Sequence, residues 1–244
     1  MAAAVSGDLN AVLDNLPWHA LSGPQASFTE NLGTRAYRYR RPVGLFFACE
    51  SLDTDGWAAL TELAGPKGTI VLFQPDIGPV PEGLNELGRF PTWQMVADGL
   101  PTTAVPRSLS GVEVVQLGTD DVDEMLALTA LTQPGPFFPE THQLGTYLGV
   151  RAGGRLVAMA GERLRAAGAA EISAVCTHPD YQRRGLGAAL TAAMVEVIRA
   201  RGDLALLHVV KTNANAIRVY EQLGFRIRRE LEALAARAAT PSPL

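Results

Sequence analysis

The sequence has few cysteines, few charged residues and no long apolar run, and each shortage excludes a class of protein. Its two cysteines, Cys49 and Cys176, are too few for a disulfide framework or a zinc cluster. Residues 1–18 lack lysine and arginine, and no stretch approaches the roughly 18 apolar residues of a membrane helix, so we expect neither a signal peptide nor a membrane span. A net charge of −4 and an isoelectric point near 5.6 indicate no general binding of nucleic acid. We therefore expect a cytoplasmic protein that has no metal site and binds neither membranes nor nucleic acid.

The chain has ample material for a packed core and enough length for two modules. Its 244 residues are 47% hydrophobic and 19% charged. Residues 98–111 contain two prolines and two glycines, a composition typical of a linker. We predict an N-terminal module over residues 1–105, a second domain over 106–235 and a tail over 236–244.

The N-terminal half contains two predicted buried strands with a helix between them. The strands are residues 43–49 and 69–73, and the helix is residues 55–63. This alternation indicates a small α/β module. Because it has no glycine-rich phosphate loop, we expect no coenzyme there. It is either a degenerate relative of the second half or a cover over a substrate cleft.

A glycine loop follows a predicted strand, residues 170–177, and opens an apolar-periodic helix. Gly185 and Gly187 remove the Cβ atoms that would keep a phosphate from the backbone, and the helix N-terminus favours an anion. Arg183 and Arg184 add positive charge. The residues after Gly187 are Ala188-Ala189, which match neither the dinucleotide fingerprint nor the nucleotide P-loop.

Two motifs in this half resemble signatures of the GCN5-related N-acetyltransferase family, of the FR47-like type. Gln182, Gly185 and Gly187 are similar to the loop whose amides hold the pyrophosphate of coenzyme A in that family. Residues 213–225 resemble its Asn-x-x-Ala-x-x-x-Tyr-x-x-x-Gly-Phe signature, in which Asn213 also caps a helix and Gly224 ends it. The resemblance covers roughly residues 112–230.

The resemblance implies an α/β fold with a mixed, mostly antiparallel central sheet and flanking helices, preceded by the smaller α/β module. It implies acetyl-CoA as the acetyl donor. The coenzyme site that it implies comprises Val175, Cys176, Thr177, Gln182, Arg183, Arg184, Gly185, Leu186, Gly187, Ala188, Asn213 and Tyr220. The amide of Val175 is then the donor to the thioester carbonyl. Asn213 either binds the pantetheine arm or only caps its helix.

Tyr220 matches the signature tyrosine that protonates the leaving thiolate, since a phenol with a pKa near 10 is protonated at neutral pH. The alternative is a tyrosine of the core. Two residues compete for the role of base. Strand alternation predicts that Glu171 shares a face with Val175, and partial burial is expected to raise its pKa. His208 lies on the next strand and has a suitable pKa without any shift. A third possibility is that neither acts. Cys176, expected on the opposite face from Glu171, is interpreted as a buried hydrophobe rather than a nucleophile.

The predicted function is acetyl transfer from acetyl-CoA to a primary amine of a small molecule or peptide, by direct attack, in a monomer or homodimer. One alternative is a transferase for another acyl-CoA. The other is a non-catalytic acyl-CoA-binding regulatory module.

Overall fold

The computed structural model describes residues 7–99 and 113–239. The N-terminal half contains three helices and five strands. They are α1 (Gly7–Asp14), α2 (Leu16–Leu21), β1 (Thr29–Glu30), β2 (Ala36–Tyr39), β3 (Phe47–Cys49), α3 (Thr54–Ala64), β4 (Thr69–Gln74) and β5 (Leu84–Val96). Helix α3 begins one residue before the predicted start, because the side chain of Asp53 caps it by accepting a 2.8 Å hydrogen bond from the Gly56 amide.

The described C-terminal half contains six strands and three α-helices. Its elements are β6 (Glu113–Leu117), α4 (Val122–Thr132), β7 (Tyr147–Ala152), β8 (Arg155–Ala166), β9 (Ala169–Thr177), α5 (Leu186–Ala200), β10 (Leu204–Val210), α6 (Ala214–Gln222) and β11 (Arg226–Ala238). Gly153 and Gly154 both have positive φ in the β7–β8 turn, and Gly224 has φ 87° after α6. Gly224 thus ends α6 as the sequence predicts.

Eight strands form one sheet in the order β4-β11-β5-β10-β9-β8-β7-β6, and β1, β2 and β3 form a separate sheet. All neighbours in the large sheet are antiparallel except β9 and β10, which are parallel. The predicted fold class, a mostly antiparallel mixed sheet preceded by a smaller module, is confirmed.

The large sheet includes strands from both halves of the chain. Strands β4 and β5 precede the predicted linker, yet β5 pairs with β10 and β11, and β4 pairs with β11. Residues 100–112, which include most of the linker, lie outside the described residues. The boundary at residue 105 stays a prediction. Strand β11 continues to Ala238 and so includes the first residues of the predicted tail, whose boundary also stays a prediction.

The two faces of the large sheet are covered by different elements. Helix α5 packs on one face through Leu186, Leu190, Met194 and Ile198, which lie in a core with Ala170 and Ile172 of β9. On the opposite face, the N-terminal segment packs through Leu13, Leu16 and Tyr39 against Leu164 of β8 and Phe73 of β4. This second face carries the buried charged residues described below.

Candidate active site

A cavity of about 740 Å³ opens where the two parallel strands separate. Leu204–Leu207 of β10 pair with Ala169–Ile172 of β9, and the pairing stops there. From Ser173 onward β9 pairs with β8 alone, and residues 172–177 line the cavity. The separation leaves one edge of β9 available to a ligand, because a sheet edge presents unpaired backbone groups.

A β-bulge re-aims the side chains of β9 at this point. Ser173 pairs with Gly161 and Cys176 with Met159, so β9 has one extra residue, and Ala174 adopts φ 53°. Val175 consequently packs in the core beneath α5, while Cys176 packs in a different cluster with Met125 of α4. The prediction that Glu171 and Val175 share a face is wrong, and so is the prediction that Cys176 faces away from Glu171. An inserted residue reverses every side chain beyond it.

The glycine loop has the geometry of an anion site. Arg183 and Gly185 have positive φ, 61° and 77°, and α5 begins at Leu186. The first hydrogen bond of the helix runs from the Ala189 amide to the Gly185 carbonyl at 2.9 Å. The amides of Leu186, Gly187 and Ala188 therefore have no acceptor within the helix, and they converge at its positive end.

Gly187 fits a close ligand better than it fits its own helix. A Cβ at this position would meet Thr177 Oγ1 and Val175 Cγ1 at 3.7 Å, which is ordinary contact. The packing of the chain therefore has room for alanine, and glycine in a helix costs about 1 kcal/mol relative to alanine. A phosphate that approaches the backbone explains the glycine, because the missing Cβ leaves space for it. Coenzyme A carries such a phosphate, so these residues fit the donor.

Tyr220 lies on α6 and lines the cavity with its ring 5.8 Å from that of Phe225. Burial raises the pKa of Tyr220 to about 12. The phenol therefore stays protonated across the physiological range, and it is a weaker acid than the sequence-based pKa near 10 indicates.

Glu171 is held in a buried ion pair. Its carboxylate is 1% exposed and accepts hydrogen bonds from Arg163 Nε at 2.9 Å and Nη2 at 2.5 Å. Burial alone would raise the pKa of Glu171, but Arg163 and then His208 stabilise the carboxylate and lower it to about 2. The expected rise in the pKa of Glu171 is wrong, because that expectation considered burial alone and not the cation of Arg163 across the hairpin.

His208 is neutral, and both of its ring nitrogens have partners. Gln94 Nε2 donates to the Leu13 carbonyl at 2.9 Å, and Arg228 donates to Gln94 Oε1 at 2.8 Å, which sets the orientation of that amide. Gln94 Nε2 then donates to His208 Nε2 at 3.1 Å, so the ring proton lies on Nδ1 and donates to Glu171 Oε1 at 2.7 Å. Burial lowers the pKa of His208 despite the attraction of Glu171.

Five of the remaining predicted residues line the cavity. They are Val175, Cys176, Thr177, Gln182 and Asn213. Asn213 caps α6, with Oδ1 accepting from the Ala216 amide at 3.2 Å. Burial raises the pKa of Cys176 to about 11, which leaves a thiol rather than a nucleophilic thiolate at neutral pH.

Arg163 and Gln94 are the residues that the sequence analysis missed. Arg163 lines the cavity, and its guanidinium lies 4.8 Å from the centre of the Phe46 ring. A sequence signal existed, because an arginine within an apolar strand needs a partner and the hairpin turn at residues 167–168 brings Glu171 opposite. Gln94 had no comparable signal, since its contacts span more than 80 residues of chain.

Comparison with known proteins identifies the family. The chain is 39% identical in sequence to a protein from Novosphingobium aromaticivorans whose crystal structure is assigned to acetyltransferases of the GNAT family. The two structures superimpose with a TM-score of 0.82 over 93% of this chain and 99% of the other. The chain belongs to the GCN5-related N-acetyltransferase family. The profile of the FR47-like protein family matches residues 147–234. A GCN5-related N-acetyltransferase from Kribbella flavida shares the fold at 19% identity, with a TM-score of 0.60 over 98% of both chains.

Curated relatives match this GNAT protein only locally. The ribosomal protein bS18-alanine N-acetyltransferase of Escherichia coli is 46% identical over 52 residues, which span 21% of this chain and 35% of the relative. The mycothiol acetyltransferase of Rhodococcus opacus is 45% identical over 56 residues, 22% of this chain and 18% of the relative. The chain thus covers about a third or less of these relatives. Separately, none of the described helices is long and apolar enough to cross a membrane.

Proposed function

We propose that this GNAT protein transfers the acetyl group of acetyl-CoA to a primary amine by direct attack while both substrates are bound. The observation that carries the proposal is the separation of β9 from β10 beside the free amides of α5. The open strand edge lines the cavity, and the anion site adjoins it through Gln182 and through Val175 and Thr177, which lie beside Gly187. An extended thioester arm can pair with the open strand edge, and the pyrophosphate at its end can bind at the anion site.

The donor is bound mainly by backbone. The amides at residues 183–188 hold the pyrophosphate, and the open edge of β9 at residues 175–177 binds the amide-containing arm. Arg183 and Arg184 lie in the same loop, where positive charge favours the phosphates. The amide of Val175 is assigned to the thioester carbonyl oxygen, where a fixed donor stabilises developing negative charge.

Tyr220 is assigned to the departing sulfur. The amine nitrogen forms a bond to the carbonyl carbon, the carbon–sulfur bond breaks, and its electron pair goes to sulfur. With a pKa of about 12, against about 8.5 for a thiol, Tyr220 retains its proton and stabilises the thiolate by donating a hydrogen bond.

The attacking amine enters as the free base. Glu171, with a pKa of about 2 and an arginine partner, has little basicity at neutral pH. His208 has no free nitrogen, because Gln94 and Glu171 occupy both. We therefore assign both residues to holding β9 against β10, and the proton lost by nitrogen goes to water. Positioning of the two substrates supplies most of the acceleration.

Steady-state release of thiol from acetyl-CoA with a panel of primary amines tests the activity. We expect amine-dependent thiol release and a ternary-complex kinetic pattern. Calorimetric binding of acetyl-CoA without thiol release for any amine would identify a binding module instead. A lower KM for a bulkier acyl-CoA than for acetyl-CoA would redirect the proposal to another acyl donor.

The pH profile tests the role of Glu171. The limb of kcat/KM that rises with pH should follow the pKa of the acceptor amine and persist in Glu171→Gln and in His208→Gln. Each variant must first be shown to be folded by thermal unfolding. Loss of that limb in one folded variant would restore that residue as the base.

A further inference from the structure

The cavity continues past the candidate reaction site along strands β4 and β11. Phe73, whose ring centre is 4.4 Å from that of His208, pairs with Ala233, and Val71 pairs with Ala235. These four residues line the main cavity. Because alternate residues of a strand share a face, the next pair on this face is Thr69 with Arg237.

A second cavity, of about 350 Å³, lies at that end of the two strands. Leu45 and Val71 line both cavities, so the two adjoin. Thr69 lies four positions before Phe73 on β4, a distance of about 14 Å at roughly 3.4 Å per residue. We call the part of the two cavities that runs from His208 to Thr69 the acceptor arm.

The far end of the acceptor arm is strongly basic. Its cations, which we call the basic cluster, are Arg38, Arg41, Lys67 and Arg237. Arg38 pairs with Glu30 at 2.8 Å. Among the described residues, no carboxylate lies within 4.0 Å of the side-chain nitrogens of the other three, and Arg237 donates only to Thr69 Oγ1, at 2.8 and 3.1 Å. All three are exposed.

The near end of the arm has no acidic counterpart. No aspartate or glutamate is among the described residues that line either cavity, and Glu171 behind the main cavity is already neutralised by Arg163. A polycationic acceptor would therefore meet apolar walls and then positive charge. In a chain of net charge −4, this local excess of positive charge favours an anion.

We propose that the basic cluster binds an anionic group of the acceptor, which is therefore a primary amine with a carboxylate or phosphate at the far end of an apolar or peptide segment. The proposal rests on the proposed acetyl transfer and names its acceptor class. An extended peptide of about four residues spans the arm, and a linear amino acid of comparable length does the same.

Matched acceptor pairs test the charge requirement. We would compare 8-aminooctanoate and 8-aminooctyl phosphate with 1-aminooctane, and tetra-alanine with its C-terminal amide, by steady-state thiol release from acetyl-CoA. The anionic member of each pair should have a KM about tenfold lower, with kcat nearly unchanged. The preference should shrink as salt rises, because exposed charges are screened. The first set reports a small-molecule acceptor and the second a peptide.

Variants localise the effect. Lys67→Gln combined with Arg237→Gln should remove the preference for the anionic acceptor and leave the rate with 1-aminooctane unchanged. Arg155→Gln, which removes an exposed arginine at the start of β8, should retain the preference. If the double variant fails to fold, the single variant Lys67→Gln serves instead and should lose part of the preference. Within the described residues the Lys67 side chain forms no ion pair, so its replacement should not disturb the fold.

A failure of this proposal differs from a failure of acetyl transfer. Equal preference in the parent and the folded double variant, or a parent that prefers 1-aminooctane, would overturn the anion site. If no amine is acetylated, calorimetry of 8-aminooctanoate binding decides. Binding that weakens in the double variant and not in Arg155→Gln supports the anion site without acetyl transfer, and binding equal in all three, or absent, overturns it.

Discussion

The two ends of the main cavity are built in different ways. At the donor end, the glycine loop and the open edge of β9 offer backbone groups from one continuous segment, residues 173–188. At the acceptor end, side chains come from β4, β8, β10 and β11, which are distant in sequence. The coenzyme is the same for every member of the family, and one local motif of backbone groups suffices to bind it. The acceptor amine varies, and its site is built from side chains that long-range packing brings together. Substitutions should therefore affect donor binding at one end and stability or acceptor choice at the other.

The largest expected effect is loss of the donor site. Gly187→Asp places a carboxylate at the N-terminus of α5 where we assign the pyrophosphate. Acetyl-CoA affinity should fall about a thousandfold, or about 4 kcal/mol, by calorimetry. The fold should persist, because the site for a Cβ is open. Unchanged affinity in the folded variant would show that the loop does not hold the donor.

At the acceptor end, Arg163→Met should act on stability instead. It leaves the buried Glu171 without its cation, which costs about 3–5 kcal/mol when one partner of a buried pair is removed. Chemical denaturation measures this loss. The double variant Arg163→Met with Glu171→Leu should recover most of it, since no charge is left unpaired. A double variant no more stable than Arg163→Met would contradict the ion-pair explanation.

Tyr220→Phe should separate chemistry from binding at the donor end. Removing the hydroxyl should lower kcat about a hundredfold, the usual loss when one fixed hydrogen-bond donor to a developing negative charge is removed, and leave acetyl-CoA affinity unchanged. Pre-steady-state kinetics must establish that acetyl transfer limits turnover. Equal kcat in parent and variant under that condition would reduce Tyr220 to a packing residue.

Acid should weaken the acceptor end through Glu171. Its pKa falls from 4.5 to about 2 on folding, so the unfolded chain takes up the proton first. The stabilisation is present above pH 4.5 and is lost as the pH falls toward 2. Between pH 4.5 and 3.5 the loss should be about 1 kcal/mol, because the carboxyl group of the unfolded chain is only partly protonated over this range. Glu171→Gln should lack this component, so parallel stability curves for parent and variant would argue against the lowered pKa.

The smallest effect is the most specific to the donor end. Gly187→Ala should stabilise the protein by up to about 1 kcal/mol, because alanine is the better helix former and meets only ordinary contacts. Acetyl-CoA binding should weaken at the same time. Gly185→Ala is the matched control. Its φ of 77° makes alanine strained there, so stability should decrease. A Gly187→Ala protein with unchanged affinity would remove the argument for a ligand at this glycine.

The contrast between the ends also explains which predictions succeeded. The glycine loop, the cap by Asn213 and the end of α6 at Gly224 depend on residues within a few positions of one another. On helix α5, by contrast, Ile198 is buried and the adjacent Val197 is only half-buried. Helical periodicity identifies a stripe, and the sheet beneath decides which of two adjacent apolar residues is covered.

The sequence by itself predicted the geometry of the glycine loop to which we assign the donor, because backbone amides at a helix start need only a glycine loop and the helix after it. Tertiary structure decided the rest. The bulge at Ala174 reversed the faces predicted for Val175 and Cys176. The pairing of β8 with β9 brought Arg163 to Glu171, so the pKa of Glu171 is lowered where the sequence led us to expect a rise. Strand β5 brought Gln94 to His208. Electrostatic energies depend on the distance and burial of charges, and distances across a sheet are set by strand order and register rather than by separation along the chain.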